Sequence, residues 1–472
     1  MNKIFFCAFL ICAGCSFAPS NKTPDMALSD SFVESKEGES NEEELYTWWK
    51  QFGDPQLDEL VETALKGNYD LLMAMEKIHE TRAQYRIKAA DLWPEIKAKG
   101  EAYRVHLPQG ASNPGNAPTP LLKPLQNLYI AGFDSSWEID LFGKIRNAKK
   151  AAYFTYLSSQ EDMHNAKVSL IAEVATTYTD IRALQKRIAI AMKNIETQDE
   201  IVALATSRLE SGLIPEGTLD SAKAFLASLQ AIVPSLESAL KQQIYSLAVL
   251  LGKTPEEMAG KFTDEGKIPI AEGKIPVGLP SALLLRRPDI RKAERDLFSA
   301  NAQIGVAKAG LFPDFSLTAA YDWVALRFHD WFKPPTRLWY IGPAFSWQLF
   351  DGGKTWANIR VQNSRQKQAF LNYKKTVISA LQDVENALVA YSEEDKRQLY
   401  LDDQVTMNTR QEELTQDLFD SGLADLGSLL QVAQGVYQAE DSLVQSVQAL
   451  MTNLIAVYKA LGGGWQEFKD SP

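Results

Sequence analysis

The chain has 472 residues, with 49 Lys and Arg against 60 Asp and Glu, a net charge of −11 and a pI near 5.1. That balance excludes a nucleic-acid surface, which needs clustered Lys and Arg in a positive field. No Pro/Gly/Ser-rich linker divides the middle, so the length predicts one elongated unit rather than a string of ordinary domains.

Residues 1–14 predict an export signal: Lys3 supplies a positive charge, and Ile4 to Ile11 form an apolar run too short to span a bilayer as a helix. The run leads through Cys12-Ala13-Gly14 to Cys15, after which no cysteine follows and no disulfide is available. It resembles the bacterial lipoprotein box, with Cys12 where Leu is usual. That resemblance implies cleavage before Cys15, lipid on its thiol and, with Ser16 next, delivery to the outer membrane. Residues 15–47 carry Glu34, Glu37, Glu39 and Glu42 to Glu44, and predict a lipid-anchored, extended tether.

Order is expected from about Trp48. After Asp54-Pro55, Leu57, Leu60, Val61, Ala64 and Leu65 recur at helical steps, give way at Gly67-Asn68 and resume from Leu71 to Ile87. Beyond Pro94 the period becomes two: Ile96, Ala98, Gly100 and Ala102 alternate with Lys97, Lys99, Glu101 and Tyr103. A second alternation places Tyr129, Ala131, Phe133, Trp137 and Ile139 opposite Gly132, Asp134, Ser136 and Glu138, with Ser135 on the apolar side. After Pro313 the event repeats, Phe315, Leu317, Ala319, Tyr321 and Trp323 opposing Asp314, Ser316, Thr318 and Asp322; a fourth segment runs from Trp339 to Leu349. Strands with an aromatic-rich apolar face and a polar face suit a wall between lipid and water. Four cannot close a transmembrane barrel, since about eight are the fewest in one chain and an open edge in lipid is costly. A homo-oligomer sharing one barrel is therefore predicted.

Each second strand ends in a matched junction, Trp137 to Gly143-Lys144 and Trp347 to Gly353-Lys354. Gly353-Lys354-Thr355 invites a phosphate-loop reading, which fails because Gln348 stands where that motif needs Gly. Long helical patterns follow, from about Ile145 to Leu209 and from Lys354 to Asp420, the first predicting a helix about 98 Å long. Pro234 predicts a kink in the first return helix, and the second, from Ser428 to Leu461, has coiled-coil spacing.

The turns between these helices match. Ser211-Gly212-Leu213, Gly217-Thr218 and Leu219 return 210 positions later as Ser421-Gly422-Leu423, Gly427-Ser428 and Leu429. Each predicts a hairpin tip, with Gly212 or Gly422 left-handed, and Thr218 or Ser428 accepting from the first amides of the return helix. Ser428 with Gln431 reads as a capping box. Two repeats follow from this symmetry, over residues 48–251 and 283–472, joined by an irregular segment, 252–282, with Pro255, Pro269, Pro276 and Pro280. The four His are scattered without metal spacing, so no metal, other cofactor or catalytic residue is predicted.

Several motifs together resemble the TolC-like outer-membrane efflux proteins, above all the OprM-type lipoprotein branch. They are Trp49 with Asp54-Pro55 and Leu57, Arg82 to Ile87 with Ala90-Asp91-Leu92 and Pro94, Leu285 with Arg287-Pro288-Asp289-Ile290, the Trp-to-Gly-Lys junctions, and Ala460 to Trp465. The resemblance implies a mainly α fold with β: a trimeric outer-membrane β-barrel of four strands per protomer, continued by a long periplasmic α-helical barrel. It implies a passive exit duct without enzymatic activity. A periplasmic adaptor would dock on the tips (Ser211, Gly212, Leu213, Gly217, Thr218, Ser421, Gly422, Leu423, Gly427, Ser428), and an inner-membrane pump, commonly of the resistance-nodulation-division type, would supply energy. The family's gate aspartates fall at Ser428 and Gln431, so candidates for a periplasmic gate are Asp420, Asp425 and Gln431. The alternatives are a type I secretion duct and a non-transporting coiled-coil envelope lipoprotein.

Overall fold

The structure, a computed structural model, describes residues 17–26, 29, 31–33, 45–106, 125–271 and 280–466. The export signal and Cys15 lie outside these residues. After a 3-10 turn at Trp48–Phe52, the elements are α1 (Pro55–Gly67), α2 (Tyr69–Ala90), β1 (Glu95–His106), β2 (Leu125–Ile139), α3 (Lys144–Glu210), α4 (Glu216–Leu250) and α5 (Pro255–Met258). There follow α6 (Leu283–Arg286), α7 (Pro288–Ala309), β3 (Asp314–Ala325), β4 (Arg337–Ser346), α8 (Lys354–Asp420) and α9 (Leu426–Ala460).

α3 and α8 have 67 residues each, α4 and α9 have 35 each, and α2 and α7 have 22 each. Neither α3 nor α8 contains Gly or Pro, so nothing in the backbone interrupts about 100 Å of helix. Pro234 lies inside α4, which continues through it as one helix. No helix among the described residues is long and apolar enough to cross a membrane.

The described chain divides into two compact units, the first formed by residues up to Pro24, Ile78–Ser158 and Glu294–Asn372. Its centre is an antiparallel sheet in the order β1-β2-β3-β4. The register carries the four predicted apolar sides onto one face. Ala98, Phe133, Tyr321 and Trp339 form one cross-strand row, and Ile139, Phe315 and Phe345 another. The opposite face carries Lys97 beside Asp134, Lys99 beside Gly132 and Asp322, and Ser136 beside Thr318. Lys99 Nζ lies 2.9 Å from Asp134 and 3.1 Å from Asp322, drawing three strands together on the polar side. Gly132 must be small, because a Cβ there would overlap the Asp322 carboxylate and the Tyr321 carbonyl. β2 starts four residues earlier than the alternation predicts, and β4 ends at Ser346, leaving Trp347 and Leu349 beyond the sheet.

The N-terminal residues of this unit are extended but held, which a free tether would not be. Phe17 stacks on Phe312 at 4.8 Å, Lys308 Nζ donates to the Phe17 carbonyl at 3.4 Å, Asn301 reaches Asn21 at 3.4 Å, and Thr23 donates to Glu294. Residues 17–23 thus run antiparallel along α7.

The second unit comprises Asp25–Lys77, Ser159–Ala293 and the chain from Tyr373. Trp48, 1% exposed, stacks on Tyr458 at 5.2 Å and meets Trp49 and Phe52 edge-on. Asp54 caps α1, accepting from Gln56 N at 2.9 Å and Leu57 N at 3.4 Å, with Pro55 at the first helical position. Buried Tyr178 donates to the same carboxylate at 2.6 Å and accepts from Arg182 Nε at 3.1 Å. Arg182 also donates to Gln56, to Gln185 at 2.8 Å and to the Asp264 carbonyl at 3.3 Å, so the irregular segment is fastened to α3. Within 252–282, Thr254 and Glu257 form a capping box for the single turn of α5.

Candidate functional site

The two hairpin tips lie in the second unit and are built alike. Gly212 has φ +70° and Gly422 +75°, the left-handed values expected of them. At the first tip Leu213 N donates to the Arg208 carbonyl at 2.8 Å and Gly212 N to Leu209 at 2.8 Å. At the second, Leu423 N donates to Leu418 at 2.8 Å and Gly422 N to Phe419 at 3.0 Å. Both are Schellman closures, which satisfy the last carbonyls of a helix.

The return helices start differently from the sequence expectation. α4 is preceded by Pro215 and α9 by Asp425, so Thr218 and Ser428 sit one turn inside. Thr218 caps nothing; its own N–H donates to the Pro215 carbonyl at 3.0 Å. The Ser428–Gln431 capping box is replaced by Asp425, whose Oδ1 takes both the Ser428 amide and hydroxyl at 2.7 Å. Those two bonds, the hydroxyl's first, hold the Asp425 carboxyl below the usual carboxylate range. Asp420 accepts from Gln416 at 3.1 and 3.2 Å.

The tips pack on each other behind these turns. Ile201, Ala205, Leu219 and Ala222 of the first hairpin form a buried cluster with Phe419, Leu426, Leu429 and Leu430 of the second. Arg208 lies over the Phe419 ring at 4.1 Å. In front, Pro215, Gly217, Thr218, Gly427 and Gln431 line an open groove of about 450 Å³. The structure therefore brings Gly217, Thr218, Gly427 and Gln431 together. Leu213 and Leu423 project from the turns, 72% and 77% exposed. Ser211 donates to the Ser207 carbonyl, and Ser421 N to Asp417. Sequence reasoning missed Arg208 and Phe419, although the helical recurrence of Ile201 and Ala205 was a signal for a packed face.

A second matched pair occurs in the first unit, where strands give way to helices. Trp137 Nε1 donates to the Leu92 carbonyl at 2.8 Å, and Trp347 Nε1 to Leu311 at 3.2 Å, each acceptor lying two residues before a proline that opens a strand. Lys144 joins Glu138 and Asp314, both at 3.1 Å, so its ammonium ties β2 to β3. At the sister junction Asp351 accepts from the Thr355 hydroxyl at 2.5 Å, from Thr355 N at 2.7 Å and from Gly353 N at 2.9 Å, bonds that lower its pKa. These are helix starts rather than phosphate cradles.

A family profile described as "Outer membrane efflux protein" matches the chain twice, over residues 60–253 and 279–463. The chain belongs to that family. Among curated relatives, the cation efflux system protein CusC of Escherichia coli O6:H1 is 29% identical, with 98% of each chain covered. The probable outer membrane lipoprotein SilC of Salmonella typhimurium is 29% identical over 97% of each. Among solved structures, the outer-membrane channel OprN superposes with a TM-score of 0.85 at 32% identity, over 96% of this chain and 100% of that one. This outer membrane efflux protein is thus an outer-membrane exit component of an efflux system.

Proposed function

We propose that this efflux protein works as a homotrimer whose three four-stranded sheets close one twelve-stranded barrel, with α3, α4, α8 and α9 continuing it as a periplasmic α-helical barrel. One observation carries the reading: the four strands share one apolar face, β1, β2 and β3 put Lys97, Lys99, Asp134, Ser136, Thr318 and Asp322 on the other, and among the described residues β1 and β4 are open edges of the sheet. In lipid those edges need partners, and a ring of identical sheets supplies them. A polar face serves a watery lumen and has no use in an envelope spacer. The equal lengths of α3 and α8, and of α4 and α9, support two repeats within each protomer.

The duct is passive and catalyses nothing; an inner-membrane pump, of the resistance-nodulation-division type, drives export. A periplasmic adaptor docks on the tips, where Leu213 and Leu423 offer exposed apolar side chains beside a groove lined by both hairpins. Asp425 is committed to its cap, so the gate depends on packing at the tips and on Asp420 and Gln431. Cys15 carries the lipid, a reading supported by the lipoprotein-type sequence Cys12-Ala13-Gly14-Cys15-Ser16. Native mass spectrometry and planar-bilayer conductance test the whole. A trimer with stable single-channel steps is expected, and a monomer that conducts nothing refutes it. Cys15→Ala should lose metabolic palmitate label while still assembling; retained label would put the lipid elsewhere.

A further inference from the structure

The apolar face of the sheet carries cations at one end only. Counted from the helix junctions outward, its first four cross-strand rows, from Ile139-Phe315-Phe345 to Ala98-Phe133-Tyr321-Trp339, hold no charge. The next row is Gly100, Ala131, Trp323 and Arg337, and two rows beyond it Arg104 stands opposite Asn127 on the same side. Both arginines are exposed, and among the described residues neither has an ion pair or a side-chain hydrogen bond. Arg337 precedes Phe345 by eight residues. At about 3.4 Å per residue that is about 27 Å along the strand, or about 21 Å of depth at a tilt of about 40°. A lipid-facing apolar band is about 25 Å tall, so Arg337 stands where hydrocarbon gives way to headgroups.

The turn from β3 to β4 supplies an independent observation. Phe328 and Trp331 meet the Tyr129 ring at 5.7 and 5.4 Å, while Phe332 meets Trp323 at 5.6 Å and stacks on Trp331 at 5.0 Å. Tyr129 and Trp323 belong to the apolar face, so the turn folds over that side. Phe332 has φ +69°, which costs a residue other than glycine about 1–3 kcal/mol. Its ring is nevertheless 57% exposed, and that of Phe328 is 69% exposed. In water this turn would combine backbone strain with bare apolar surface; hydrocarbon removes the second cost. Arg327 and Lys333 flank the rings, and the single acid of the turn, Asp330, is taken by Lys333 at 2.7 Å and His329 at 3.2 Å.

We propose that this end of the sheet binds an anionic, phosphate-bearing lipid of the outer leaflet, resting on the barrel reading for which face meets lipid and which end is outermost. Arg337 and Arg104 hold the phosphates, and Phe328, Phe332 and Trp339 lie against the acyl chains. A guanidinium keeps its charge and binds phosphate through two parallel N–H bonds, whereas a neutral headgroup would leave both arginines unmatched. Arg104 lies on β1 and Arg337 on β4, the two edges of the sheet, so ring closure puts them on adjacent strands of neighbouring copies. The uncharged rows toward the junctions offer the inner leaflet no such site.

The test is native mass spectrometry of the full-length oligomer in a neutral detergent, titrated with lipid A and, separately, with lipid A stripped of its phosphates. Saturable retention of the phosphorylated form is expected, at least tenfold tighter than of the stripped one. Arg337→Gln and Arg104→Gln should each weaken retention about fivefold, the effect of losing one partly exposed charged contact. Lys97→Gln, on the polar face, should leave it unchanged. Equal retention of the two lipids, unchanged affinity in both arginine variants, or an equal loss in Lys97→Gln would each overturn the assignment while leaving the barrel standing. Displacement of the lipid by equimolar inorganic phosphate would overturn it in favour of a site for the free anion. An oligomer that conducts nothing in a planar bilayer would instead refute the barrel, and the lipid site with it.

Discussion

Tyr178→Phe isolates the hydroxyl that joins α1 to α3. The ring is 1% exposed and phenylalanine fills the same space, so no cavity forms and the loss is confined to two short hydrogen bonds and a longer one to Gln56 at 3.4 Å. Of the two short ones, one runs to the Asp54 carboxylate at 2.6 Å, the other from the Arg182 guanidinium at 3.1 Å, and both are charge-assisted. At about 1.5–3 kcal/mol for each such bond, less what Arg182 recovers from Gln56 and Gln185, the net loss is about 3 kcal/mol. Hydrogen exchange reads this directly, because the Gln56 and Leu57 amides donate to the same Asp54 cap. Their exchange should quicken by roughly two orders of magnitude if local opening limits it. There is a pH signature as well. Burial, with the bond to Asp54, pushes the Tyr178 pKa up to about 12. A raised pKa means that the folded state holds the proton more tightly, so this stabilisation is full below about pH 10 and is lost between about pH 10 and 12. The wild type should lose protection of the α1 start across that window, and the phenylalanine variant should show no such step. Exchange of Gln56 and Leu57 within threefold of wild type would refute the reasoning.

Gly132→Ala should force β2 and β3 apart and loosen the grip of Lys99 on Asp322, costing about 1–3 kcal/mol; a lower melting temperature of the oligomer by electrophoresis is expected, and an unchanged one tells against the packing argument. Gly212→Pro and Gly422→Pro replace positive φ with about −65° and remove an N–H bonded to Leu209 or Phe419, so adaptor cross-linking should fall while the oligomer persists. Equal cross-linking by both variants would remove the tips from the docking surface. Trp137→Phe and Trp347→Phe each forfeit one bond to a backbone carbonyl, about 1 kcal/mol apiece, measurable as a lower denaturant midpoint at constant slope. Two variants as stable as the parent would make these contacts incidental.

The features legible in the sequence were those with a local cause. Each strand has one apolar face, so alternation reported both its existence and the side it presents, and the register then aligned Phe133, Tyr321 and Trp339 as that reading required. Helix length was legible from the lack of Gly and Pro, and the tips from glycines that take positive φ. The helix starts were misread because a Ser or Thr near a turn resembles a cap; the actual boundary was set by Pro215 and Asp425, three residues earlier. Other features depend on residues far apart in the chain. The polar composition of 17–26 hid a strap whose partner, Phe312, comes nearly 300 residues later, and Gly132 acquires its reason only when Lys99 and Asp322 are placed beside it.

The equal lengths of α3 and α8 limit how these chains can change in size. Seven residues added to α3 alone would carry Gly212 about 10 Å beyond Gly422, pulling Ile201 and Ala205 away from Phe419 and Leu426. The same addition made to α3 and α8, and matched in α4 and α9, keeps every one of those contacts in step. Viable insertions and deletions in the long helices should therefore arise as coordinated sets in whole heptads, while the segments joining the strands remain free to vary one residue at a time.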